Sequence, residues 1–179
     1  MKRLILSRKG FDSSAGGGPS PILDDGRIFS LPIPQKEKSP HRYSDLKFDE
    51  FNGEDFIKKI KCSVSPETYC HFDPRLDQEI GVFGQANAAQ TELKNRDIQI
   101  GDLFLFFGWF KNYSRYGKDL HHIFGWLQIN KIIEGEKKIK KFLLENNLLH
   151  PHGYKDVSRY KNNTLYIGCL LYTSPSPRD

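Results

Sequence analysis

GDLFLFFGWF, residues 101–110, sets the architecture. A Gly-Asp entry is followed by a nearly unbroken apolar run, which predicts a strand buried on both faces. A second stretch, His122–Ile129, mirrors it and repeats Phe-Gly-Trp at 124–126 after 107–109. The segment between them, 111–121, is polar and carries Tyr113, Arg115, Tyr116 and Lys118. The natural reading is a long hairpin whose loop bears functional groups.

Upstream, Leu4-Ile5-Leu6 reads as a short strand. It runs into Ser7, Arg8, Lys9, Asp12, Ser13 and Ser14, then Gly16–Gly18 and Pro19. Residues 22–31 read as a hairpin, with Asp25-Gly26 between apolar pairs as its turn. Pro32, Pro34 and Pro40 enforce an extended connection. Phe48, Phe51, Phe56, Ile57 and Ile60 suggest one or two short helices, and 86–93 has good helix formers. Downstream, 136–144 puts Ile139, Phe142 and Leu143 on one helical face and lysines on the other. His150-Pro151-His152-Gly153 is a turn, and 163–167 is a last strand. The fold class is α+β, with a mainly antiparallel sheet or a small barrel and a few short helices.

The 179 residues favour one domain, placed over 1–168. Aliphatic content is modest, but 13 Phe, 8 Tyr and 2 Trp can build a core. A net charge of +5 makes an anionic partner plausible without requiring one. Three cysteines, Cys62, Cys70 and Cys169, argue against a disulfide scaffold and for a reducing, cytoplasmic compartment. No signal peptide and no apolar run of about 18 residues is present, so no membrane span is expected. The end, CLLYTSPSPRD at 169–179, resembles a translated sequencing-adapter read-through. On that reading the natural chain is truncated near Gly168 and Cys169 carries no function. A disordered Ser-Pro tail is the alternative.

Several groups carry chemistry. Arg8 and Lys9 can hold a phosphate, and Asp12 can orient a sugar or base or act as a general base. Ser13 and Ser14 add hydroxyls, and successive glycine N–H groups can form an anion nest. The loop is neither a Walker loop nor a dinucleotide fingerprint. His71 and Asp73, two apart, can share a face as a base and its orienter. A zinc site would need Cys62 or the His150/His152 pair beside Cys70 and His71, so no metal is expected. Trp109 and Trp126 can wall a slot, opened by neighbouring glycines, in which a base stacks. Gln85, Gln90 and Gln128 have amides suited to a base edge. His121, His122, His150 and His152 are unassigned.

Seven ordered blocks share a common resemblance. LSRKGFDSSAGGGPSPIL, CHFDPRL, FGQANAAQTEL, GDLFLFFGWF, HHIFGWLQI, HPH and NNTLYI together resemble the nucleotide modification associated domain 3 family. The Gly-Asp and Gly-Trp strands are also similar to the PUA-like group of small barrels. The family resemblance implies bacterial or phage systems that hypermodify DNA bases. It implies a module that binds or processes a nucleotide or modified DNA base, alongside other base-modification enzymes. The sequence leaves two alternatives: an enzyme, transferase or hydrolase, acting on the nucleotide, and a protein-interaction module using the basic 137–141 helix. Catalytic candidates are Asp12, His71 and Asp73. Substrate-binding candidates are Arg8, Lys9, Ser13, Ser14, Gln85, Trp109, Trp126 and Gln128. The cofactor is open.

Overall fold

Strands follow the extended, apolar or proline-punctuated stretches of the chain. In order they are β1 (Leu4–Arg8), β2 (Ser20–Ile22), β3 (Ile33–Pro34), β4 (His41–Arg42), β5 (Lys47–Phe48), β6 (Phe51–Asn52), β7 (Tyr69–His71), β8 (Ile80–Gln85), β9 (Leu103–Asn112), β10 (Leu120–Gln128), β11 (Lys131–Glu134) and β12 (Thr164–Cys169). The helices are α1 (Gly53–Ile60), α2 (Asn87–Asn95) and α3 (Glu136–Glu145), with 3-10 turns at Tyr43–Asp45 and Pro151–Gly153. The structure, a computed structural model, describes residues 2–60, 62, 64–76, 80–115, 117–154 and 159–169, with Cys169 described by its backbone alone. Tyr116 and the tail from 170 lie outside the described residues.

The fold is α+β. The pairings β11–β12, β12–β8, β3–β7, β4–β7 and β5–β6 are antiparallel. β1, β9 and β10 form another sheet in that order, and β2 joins β9 in parallel through Ser20↔Phe110 and Ile22↔Asn112. Among the described residues no sheet closes into a barrel, so the open antiparallel alternative holds. No described helix is long and apolar enough to cross a membrane.

The chain divides into two compact units. The first comprises residues 1–6, 73–105 and 125–179, and the second 7–72 and 106–124. In the first, β12 lies between β11 and β8, with Leu165 opposite both Ile133 and Gly84. Val82, Ile133, Leu165 and Ile167 pack with Ile139 and Leu143 from α3. Phe142, expected on that same face, is only partly buried, with the Lys131 ammonium 5.2 Å over its ring. Phe83, Phe104 and Tyr166 pack with ring centroids 4.8–6.0 Å apart.

In the second unit Phe11, Leu23, Leu31, Tyr43, Leu46, Phe56, Ile57 and Ile60 form the core. Each such side chain contributes about 1.5–3 kcal/mol by leaving water. α1 buries Phe56, Ile57 and Ile60 and exposes Lys58. Its start is fixed reciprocally: Asn52 Oδ1 accepts from Asp55 N, and Asp55 Oδ2 accepts from Asn52 N, both at 3.0 Å. The Asp25-Gly26 turn closes with Leu23 N donating to Arg27 O at 2.8 Å.

β9 departs from the sequence reading. It is not buried on both faces: Phe104, Phe106, Gly108 and Phe110 are buried, and Leu103, Leu105, Phe107 and Trp109 are half-buried. The even residues face a core; the odd residues are apolar yet partly open to water. An unbroken apolar run cannot distinguish one covered face from two.

Candidate functional site

Four polar side chains are buried together in the first unit. Asp73 follows β7, His150 caps the Pro151–Gly153 turn, His152 lies within it, and Asn163 precedes β12. All four are less than 9% exposed. Asp73 Oδ1 accepts from Gly84 N at 2.8 Å and meets His150 Nε2 at 3.1 Å, and the Asp73 and His150 side chains are each 1% exposed. His150 Nδ1 accepts from His152 N at 3.3 Å. That assigns the neutral tautomer in which Nε2–H of His150 donates to the carboxylate.

His152 is held from its other side. Asn163 Nδ2 donates to the His152 carbonyl at 2.8 Å, which turns Asn163 Oδ1 toward His152 Nδ1 at 2.7 Å. The amide oxygen only accepts, so Nδ1 carries the hydrogen and the lone pair of the neutral ring is at Nε2. Tyr160 stacks on the imidazole with centroids 4.8 Å apart. Buried Arg75 donates to the Leu149 carbonyl at 2.9 Å, fixing the chain just before His150. A histidine with one nitrogen locked by an amide and the other basic is the form that takes or gives a proton. It is also the form that ligates a metal. The ligand atoms of Asp73 and His152 lie within 4.8 Å of each other.

The sequence candidates distribute as follows. Asp73 is in this cluster and is bonded to His150. His71 belongs to the second unit, where its Nδ1 meets Gln35 Oε1 at 3.0 Å. Gln85 ends β8, opposite Thr164. Gln90 is buried and accepts from the Tyr166 hydroxyl at 3.0 Å. Gln128 donates to Gly101 O at 3.3 Å, and Trp126 is 38% exposed.

In the second unit, Asp12 organises its own loop. Its Oδ1 accepts from Ser14 Oγ at 2.7 Å, Ser14 N at 2.8 Å and Ala15 N at 2.7 Å, and Gly17 N donates to Asp12 O at 3.0 Å. The Ser14 hydroxyl, the two N–H groups and Arg8 hold its carboxyl below the usual range. The loop's amides thus already surround an anion of the chain itself, and the Ser13 and Arg8 side chains are exposed. Arg8 is half-exposed and 3.9 Å from Asp12 Oδ2. Lys9 N donates to Phe107 O at 2.9 Å. Trp109 donates its indole N–H to Asp119.

The glycines beside the tryptophans open no slot. A Cβ on Gly108 would lie 2.8 Å from the Lys9 carbonyl, and one on Gly125 would lie 2.4 Å from Leu76 Cδ1. The space their missing side chains leave is filled by the protein. His150, His152 and Asn163 were not assigned roles from sequence; the HPH turn and the Asn before a terminal strand were the only local signals.

Residues 3–176 match the family model for nucleotide modification associated domain 3. No curated protein and no solved structure is similar enough to the chain to count as a match. With nearly the whole chain under one model, it belongs to the nucleotide modification associated domain 3 family.

Proposed function

We propose that this chain processes a nucleotide or a modified DNA base within a base-modification system, with His152 as its proton-transfer group. Asn163 sets the tautomer of His152, and Asp73 with His150 fixes the turn that presents it. The observation that carries this reading is the pair of bonds between His152 and Asn163, 2.7 and 2.8 Å, inside a core of below 5% exposure. Burying four polar side chains costs several kcal/mol unless each is bonded. Here each of the four side chains makes at least one bond, and those to Asn163 also select one protonation form of the His152 imidazole.

The family supports a nucleotide or nucleobase substrate, and the site supports the proposed reaction class: proton removal from, or donation to, a nucleobase or its substituent. The test is incubation of the chain with the four deoxynucleotides and with unmodified and modified DNA, read by mass spectrometry. A mass change that His152→Gln abolishes in a folded protein supports the assignment. A mass change that persists in that variant overturns it.

A binding module is the second reading. It is favoured by the half-exposed Arg8 guanidinium, held no closer than 3.9 Å by Asp12, at the end of β1. Arg8, Lys9 and Ser13 then contact phosphate or sugar, and Arg8→Ala weakens nucleotide binding in a folded domain.

A further inference from the structure

The end of β9 and the loop joining it to β10, in the second unit, carry Lys111, Arg115 and Lys118, and these line a hollow of about 760 Å³ together with Asn112, Tyr113 and Ser114. We infer that this hollow is a docking surface for the sugar-phosphate backbone of a nucleic-acid strand. The inference rests on the proposed reading that the chain handles nucleotides, and adds that the substrate is presented as part of a polymer.

The loop is built, not merely charged. Asn112 Oδ1 accepts from Ser114 N at 2.8 Å and Arg115 N at 2.9 Å, folding the chain back at the end of β9. Tyr113 donates its hydroxyl to Pro19 O at 2.7 Å, and burial pushes that hydroxyl up to about 12. Arg115 Nη2 donates to the Asp24 carbonyl at 3.0 Å. These contacts fix the loop against the turns at 19 and 24.

The charges stay uncompensated. Asp24 directs its carboxylate to the Asn112 amide at 3.4 Å, and Asp119 accepts from the Trp109 indole. Among the described residues, no carboxylate comes within ion-pair range of Lys111, Arg115 or Lys118. Lys111 Nζ lies 5.9 Å from the Tyr113 ring centroid, an arrangement that keeps the ammonium at the surface. Three cations spread along one loop exceed what a single phosphate needs. They suit successive phosphates of a strand, whose neutralisation releases counterions.

The experiment is fluorescence anisotropy of labelled single-stranded and duplex 20-mers on the full chain across a salt series. The chain is compared with Lys111→Gln/Arg115→Gln/Lys118→Gln. Affinity falls about tenfold or more in the triple variant, and the slope against log salt drops by up to about 2.7, at about 0.9 per phosphate contact. Lys111→Gln/Lys118→Gln keeps the Arg115 bond and shows an intermediate loss, which separates the charge effect from misfolding. Lys137→Gln/Lys138→Gln/Lys141→Gln on α3 removes equal charge and leaves affinity within about twofold.

Wild-type affinity in the triple variant, or equal loss in the α3 variant, overturns the inference. Turnover of free deoxynucleotides without loop-dependent strand binding overturns this inference alone. Loop-dependent binding without any turnover overturns the proton-transfer reading alone.

Discussion

Gly84 lies flat against the imidazole of His152: a Cβ on Gly84 would stand 2.3 Å from Cδ2 and 2.7 Å from Nε2 of that ring. The same glycine's N–H donates to Asp73 Oδ1 at 2.8 Å. One backbone position on β8 therefore sets both the carboxylate and the distance of the histidine. Gly84→Ala forces the ring or the strand to move, at about 1–3 kcal/mol. Urea unfolding reads the stability, and mass spectrometry of product reads whether the displaced ring still works. Unchanged stability and turnover would mean that the ring packs elsewhere.

Asn163 has a separable role. Asn163→Ala removes both bonds to His152 and leaves a buried N–H and a buried carbonyl without that partner, at about 1–3 kcal/mol for each group left unsatisfied. Asn163→Asp keeps the shape but lets a carboxylate face Nδ1, which favours the protonated ring. The pH profile of any turnover then shifts to higher pH, while a purely structural asparagine would change stability with no such shift.

Much of the framework was legible in the sequence, because it rests on local signals. The helix expected over 136–144 is α3, the strand expected at 163–167 is β12, and Asp25-Gly26 turns with Gly26 at φ 91°. Amphipathic period and turn chemistry act within a few residues, so one sequence suffices. The cluster was half legible. His71, two residues earlier, was legible as a pair for Asp73, and Asp73 itself stood out. Its bonded partner, His150, is 77 residues away, and nothing local encodes that distance. The parallel β2–β9 pairing is likewise non-local: Ser20 meets Phe110 only because the Gly-rich loop returns the chain there.

Tyr43 tests the second unit's core. It is fully buried, and its hydroxyl donates to Pro32 O at 2.6 Å. Burial pushes the phenol far above its ordinary range, so it stays neutral and donating at all working pH values. Tyr43→Phe keeps the ring's packing against Phe11, 5.8 Å away edge-on, and leaves the Pro32 carbonyl without this donor. The expected cost is about 1–2 kcal/mol in urea unfolding. Tyr43→Ala adds a cavity and costs about 3–5 kcal/mol.

Asp102 supplies a pH dependence whose sign is fixed by its bonds. The residue is 1% exposed, and burial alone would raise its pKa. The Arg3 and Gln99 N–H groups, at 2.8 and 3.0 Å, together with the Arg3 charge, outweigh burial and hold the carboxyl below its usual range. A depressed folded-state pKa means that the stabilisation is complete above the unfolded value, about 3.9, and is lost as pH falls through the folded one. Asp102→Asn removes the charge but keeps one acceptor oxygen. At pH 7 the variant is therefore less stable than the parent by about 2 kcal/mol, the scale of hydrogen bonds to an ionised group. As pH falls below the unfolded value and through the depressed folded one, the parent protonates and the gap narrows. Urea midpoints measured for both proteins from pH 7 down to 2 read this directly. A gap that stays constant with pH would show that Asp102 contributes through shape and not through its charge.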